Sequence, residues 1–189
     1  MKYKSTLIAV SDMEKSRQFY HDVLGMNVVA DFGANVTLDG GLVLQTLDTW
    51  TSFIRTDKVV LPNNAGELYF EDGDMDAFCE HLKQFDICYV HPLFEHRWGQ
   101  RVVRFYDPDR HIIEVGEKLD AVILRFMEQG LSAEETAIRM DIAVDYVTAC
   151  LKNKSGFGES KGGYNGIYVN CTIIALDMVS GMHDNMALR

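Results

Sequence analysis

Two stretches of this chain repeat one another in apolar and polar pattern. Ser5-Thr6-Leu7-Ile8-Ala9-Val10-Ser11-Asp12-Met13 aligns with Glu67-Leu68-Tyr69-Phe70-Glu71-Asp72-Gly73-Asp74-Met75. Each reads as a short strand running into a helix. In the first helix Met13, Phe19, Tyr20, Val23 and Leu24 recur at helical spacing. Ser11 with Glu14 forms a predicted capping box, and Gly25 suits the left-handed residue after the last turn. The second helix is predicted to be capped by Asp74, with Met75, Phe78, Leu82 and Phe85 on one face.

Strand-like runs follow each helix. The first set is 26–31, 35–38 and 42–47, with the Asp39-Gly40-Gly41 turn before the last run. The second set is 87–91, 101–106 and 111–115, with Asp107-Pro108-Asp109 as the closing turn. Asp-Gly and Asp-Pro-Asp are good turn chemistry. The predicted order is therefore strand, helix, three strands, stated twice: an α+β chain of tandem βαβββ modules, at about 1–60 and 61–118.

The pattern changes after residue 118. Residues 119–151 read as three short helices, with an apolar stripe of Leu119, Val122, Ile123, Phe126 and Met127 and a second capping box, Ser132 with Glu135. Their arrangement is similar to a helix-turn-helix. Against DNA binding stand six acids (Asp120, Glu128, Glu134, Glu135, Asp141 and Asp145) facing only Arg125 and Arg139, where a reader of DNA needs a basic footprint. The expectation is an appendage that packs on the modules or on a partner subunit. Residues 152–189 open on a Gly, Ser and Lys stretch that reads as a linker, followed by a tail with no functional reading.

Composition narrows the class. The 189 residues carry a net charge of −10, which argues against a nucleic-acid partner. No run approaches the roughly 20 apolar residues of a membrane span, and the N-terminus lacks a signal-peptide core. The 4 cysteines are widely spaced, which favours reduced thiols. The expected setting is cytoplasmic.

Val10-Ser11-Asp12-Met13 through Phe19-Tyr20, with Leu24-Gly25, resembles the opening signature of the vicinal-oxygen-chelate superfamily, which includes glyoxalase I and the bleomycin-resistance proteins. Trp98-Gly99-Gln100-Arg101 through Asp107-Pro108-Asp109-Arg110-His111-Ile112-Ile113-Glu114 resembles its closing signature, although Arg110 stands where the family usually has Gly. The resemblance spans about the first 118 residues. It implies that each module curls into a half-barrel, that modules pair within a chain or across a homodimer, and that metal ligands come from the first and last strands of each module. Mapped here, those positions are Ser5, Gln45, Glu67 and Glu114. The glyoxalase-like set would be His or Gln, Glu, His and Glu, so the expected imidazole is missing.

Strand alternation gives an independent register. With Ser5 turned into the cavity, so are Leu7 and Ala9. Glu67, Tyr69 and Glu71, Val43 and Gln45, and Ile112 and Glu114 then turn inward as well. The alternate residues, the more apolar set in every strand, turn to the helices. Glu67, Glu71 and Glu114 would thus share one space, and like charges raise one another's pKa. Three remedies are open: a divalent ion on Gln45, Glu67 and Glu114, a cationic ligand, or an internal base, for which Arg104 is the best placed. The oxygen-only set suits Mn or Mg better than Zn, with Ni a further candidate, and the missing imidazole favours a metal-free site. Trp98 reads either as an aromatic wall or as loop packing. His21, His81 and His91 read as surface residues, with His96 and His111 at the cavity mouth.

Two functions follow. One is a small-molecule-binding protein of the bleomycin-resistance kind, holding an organic, cationic ligand without chemistry. Its contacts would be Tyr69, Glu71, Trp98, Arg104 and Ile112. The other is a metal-dependent, lactoylglutathione lyase-like lyase or isomerase, with Glu114 or Glu67 moving a proton through an enediolate.

Overall fold

In a computed structural model of the chain, the backbone is described through Ser155 and the side chains through Asn153. The first module comprises β1 (Thr6–Val10), α1 (Met13–Leu24), β2 (Val28–Asp31), β3 (Asn35–Leu38), β4 (Leu42–Thr46) and α2 (Leu47–Ile54). The second comprises β5 (Glu67–Asp72), α3 (Met75–Leu82), β6 (Tyr89–Glu95), β7 (Arg101–Tyr106) and β8 (Ile112–Glu117). Each module forms its own four-stranded sheet, ordered β1-β4-β3-β2 and β5-β8-β7-β6. In both, the first strand runs parallel to the last, because the helix returns the chain to the sheet edge; the remaining pairs are antiparallel hairpins.

The alternation sets which side chains are buried. Ile8, Val10, Leu42 and Leu44 of the first sheet join Leu68, Phe70, Val103, Phe105, Ile113 and Val115 of the second in one core. The helices supply Tyr20, Val23, Met75 and Leu82, each 3 % exposed or less. Hydrogen bonds tie the modules together as well. Tyr20 Oη donates to Asp107 Oδ2 at 2.8 Å, and the Ser11 amide donates to Asp109 at 3.0 Å. Asp107 also accepts from the Asp109 and His111 amides, which locks the closing turn. Arg110 sits in that turn at φ 73°, in the left-handed region that favours Gly.

Several boundaries differ from the sequence reading. Asp12, rather than Ser11, caps α1, accepting from the Lys15 amide; the Ser11 side chain is drawn instead to Asp109. Asp74 caps α3 as expected, through the Ala77 amide. Helix α2 was not foreseen, because its Thr, Trp and Phe content reads as strand. β6 runs on to Glu95, past the expected end at His91.

Three helices follow: α4 (Leu119–Glu128), α5 (Ala133–Met140) and α6 (Val144–Ser155). Ser132 and Glu135 form the foreseen capping box. Val122, Ile123, Phe126, Ala137, Met140 and Val147 close a second, small core. α6 continues through the residues where the linker was expected to begin; the rest of the 152–189 tail lies outside the described residues. The appendage is fastened to the second module by a buried charge network. Glu117, 2 % exposed, is gripped by Arg101 Nη2 and by Arg125 Nη2, each at 2.8 Å. Burial pushes Glu117 up, yet these two guanidinium groups outweigh it and hold its carboxyl below the ordinary value. The tip of the Phe126 ring lies against Gly99, where a Cβ would fall 2.1 Å from it.

Candidate functional site

The side chains that alternation assigned to the cavity lie on the sheet faces turned away from the shared core. On the second sheet, β7 and β8 pair in a register that puts Arg104 opposite Glu114, and β5 pairs with β8 so that Tyr69 lies beside Glu114. The Arg104 guanidinium bridges two carboxylates: its Nε donates to Glu67 Oε2 at 2.9 Å, and its Nη2 is ion-paired with Glu114 Oε2. Its Nη1 lies 3.2 Å from His91 Nε2. Of the three remedies for crowded carboxylates, the internal base is therefore present.

The two acids titrate differently. Burial raises Glu114 to about 7, with Arg104 opposing and Glu67 adding to the rise. Burial also pushes Glu67 up, but the bond and charge of Arg104 outweigh it and hold Glu67 below the ordinary value. The charge is thus kept on Glu67, while Glu114 is only partly ionised near neutrality. Glu114 Oε2 is buried without a directed hydrogen bond, and its ionised form pairs with Arg104 by charge.

Glu71 accepts from Tyr69 Oη at 3.1 Å, and that hydroxyl lies 3.3 Å from Gln100 Nε2. The Tyr69 ring lies across Gly116, where an added Cβ would come within 2.9 Å of the hydroxyl. Gln100 Oε1 accepts from Trp98 Nε1 at 3.2 Å. Trp98 stacks on His96 with centroids 4.1 Å apart and an interplanar angle of 8°. Phe94 meets His96 at 5.2 Å and His91 at 6.2 Å, so an aromatic row runs from the Arg104 cluster to Trp98. Burial, followed by the fields of Arg104 and His91, lowers the His96 pKa and keeps its ring neutral.

Gln45 does not join this group. It lies in the first sheet, 2 % exposed, its Oε1 accepting from Asn35 Nδ2 at 2.7 Å and its Nε2 donating to the Ala34 carbonyl at 2.9 Å. Thr49 on α2 completes its surroundings. Ser5 precedes β1 and is half-buried. Ile112 stands opposite Glu67, and both line a cleft of about 290 Å³ at the β5 edge, with Thr6, Ile8 and the 61–66 connection. No cluster of three or more His, Cys, Asp or Glu able to hold a metal occurs among the described residues. The residues present do not fit a divalent ion: the amide oxygen of Gln45 is engaged, and both glutamates already share a guanidinium.

His91, read as a surface residue, belongs to the Arg104 cluster. Its position opposite Arg104 on β6 could have been found by extending strand alternation to β6. His111 is a turn residue, with Nδ1 2.8 Å from Asp107 Oδ2. Gln100 was not singled out, since its role depends on contacts between strands.

A family model, Glyoxalase-like domain, matches residues 3–120, and the chain belongs to that family. The fold is accordingly that of the vicinal-oxygen-chelate proteins. The uncharacterized protein YraH of Bacillus subtilis (strain 168) is 27 % identical over 128 residues, covering 63 % of this chain and 100 % of YraH. A solved structure of a protein of unknown function from Agrobacterium tumefaciens str. C58 is 36 % identical with a TM-score of 0.57, over 63 % of this chain and 95 % of that one. A glyoxalase/bleomycin resistance protein/dioxygenase from Nocardioides shares the fold at 17 % identity and TM-score 0.52, over 63 % of this chain and 84 % of that one. The family match ends at residue 120, so all but the first residues of the three-helix appendage lie beyond it.

Proposed function

We propose that this protein binds a small organic cation on the acidic, aromatic-edged face of its second sheet and performs no chemistry on it. The observation that carries this reading is the placement of Arg104 between Glu67 and Glu114. A guanidinium stands where a catalytic ion would need those oxygens. With Arg104 balanced against Glu67, Glu71 and the partly ionised Glu114 keep the face anionic, while Phe94 and Tyr69 offer rings for cation–π contact. Both rings are solvent-exposed, Phe94 at 54 % and Tyr69 at 42 %. A homodimer that lays the first sheet of one copy over the second sheet of its partner would enclose them.

Benzyltrimethylammonium is a suitable probe for calorimetric titration. Saturable binding is expected, at least tenfold weaker in Glu67→Gln and tighter as pH rises through 7, where Glu114 ionises. Equal binding of an uncharged analogue of the same shape would sink the reading.

The lyase or isomerase alternative keeps one observation on its side: a buried carboxyl titrating at about 7 is tuned for general acid–base work. Elemental analysis separates the two. About one equivalent of divalent metal, lost in Glu114→Ala, would restore the enzyme reading.

A further inference from the structure

A second concavity, of about 390 Å³, lies away from the glutamates, between the loop joining β6 to β7 and the helix α5. Its volume falls in the range of small-molecule sites. Five residues line it: Arg97, Trp98, Ile138, Arg139 and Asp141. It exists only because the appendage is pinned to the module. Arg139 Nη1 donates to the Arg97 carbonyl and its Nη2 lies 3.6 Å from Glu95, while Arg125 fixes the neighbouring Gly99 carbonyl.

The chemistry of the five residues is unequal. Arg139 is engaged in those contacts. Among the described residues, the Arg97 guanidinium and the Asp141 carboxylate have neither a side-chain hydrogen bond nor an ion pair. Trp98 has one ring face stacked on His96 and also lines the cleft. Ile138 is 81 % exposed, an apolar side chain held on the solvent side of α5. Asp141 is fixed in the left-handed conformation, φ 56°, as the residue closing α5, which aims it independently of the helix above. One free cation, one free anion, an aromatic platform and an aliphatic wall therefore converge on one space.

We propose that this cleft is a second small-molecule site, selective for an aromatic zwitterion of the α-amino-acid type. The ring stacks on Trp98 against Ile138, the carboxylate pairs with Arg97, and the ammonium pairs with Asp141. Neither charged half alone satisfies the pair, so a half-ligand forgoes one of the two ion pairs that the zwitterion makes. The proposal uses none of the glutamates of the cation-binding reading and stands or falls separately from it.

The test uses the full-length chain carrying Trp50→Phe, which leaves Trp98 as the remaining one of the 2 tryptophans. Its fluorescence is titrated with L-phenylalanine, phenethylamine and 3-phenylpropionate. Phenylalanine should bind at least tenfold more tightly than either half-ligand. Arg97→Gln should reduce phenylalanine to the level of phenethylamine, and Asp141→Asn to that of phenylpropionate. Asn tolerates the left-handed backbone, so the latter variant keeps the helix end. Glu67→Gln, which reports on the other site, should leave the titration unchanged. Equal affinities for the three ligands, no saturable response, or affinities indifferent to both variants would overturn the proposal. Circular dichroism of each variant keeps a folding failure from being read as a binding result.

Discussion

At the scale of single residues, the decisive contact is one guanidinium shared by two acids of different pKa. Glu114 titrates at about 7 in the folded chain against an ordinary value of 4.5. The folded state therefore holds a proton that the unfolded state gives up, so this stabilising contribution is complete below about pH 4.5 and is lost as pH rises through about 7. Glu114→Gln keeps a neutral side chain at every pH. Relative to wild type it should gain stability between about pH 5 and pH 8, by on the order of 1–2 kcal/mol, read from denaturant melts. A difference that stays flat across that range would mean that Glu114 is not protonated in the fold.

Between elements, the join of α4 to the β6–β7 loop is the most sharply constrained. Gly99 has φ 91°, and a Cβ there would overlap the Phe126 ring. Gly99→Ala should cost about 2–4 kcal/mol by backbone strain and overpacking together. In a Phe126→Ala background the overpacking part vanishes, so the two substitutions should be less than additive by 1 kcal/mol or more on the order-of-magnitude scale of packed neighbours. Strict additivity would place Phe126 elsewhere. Glu117 works at the same join. Replacing it would leave Arg101 and Arg125 facing each other over a buried vacancy, which is why an appendage without a large core of its own is held in place by charge.

For the whole molecule, the sheet faces that alternation assigns to the cavity are partly open to solvent. Leu7 on the first sheet and Phe94 and Tyr69 on the second remain substantially exposed on those faces. Sedimentation should find a particle of twice the 21.4 kDa chain mass, and Phe94→Glu should shift it toward the monomer while preserving the circular-dichroism spectrum. A wild-type monomer at micromolar concentration would refute the paired arrangement.

The sequence alone determined the tandem modules, the facing of the first and last strand of each and the appendage helices, because alternation and helical periodicity are local consequences of which residues must leave water. It also marked Glu67, Arg104 and Glu114 as neighbours, since period-two strands in a known order fix who shares a face. Helix α2 escaped because its β-branched and aromatic residues favour strand. Ser11 was misassigned as a cap because Asp109, nearly a hundred positions away, competes for its hydroxyl. Only the tertiary structure decided that Gln45 is tied up in its own module, that His91 joins Arg104, and that Trp98 belongs as much to the appendage as to the loop. Those outcomes depend on hydrogen bonds and charges between segments far apart in the chain, and no local pattern encodes which of several eligible partners wins.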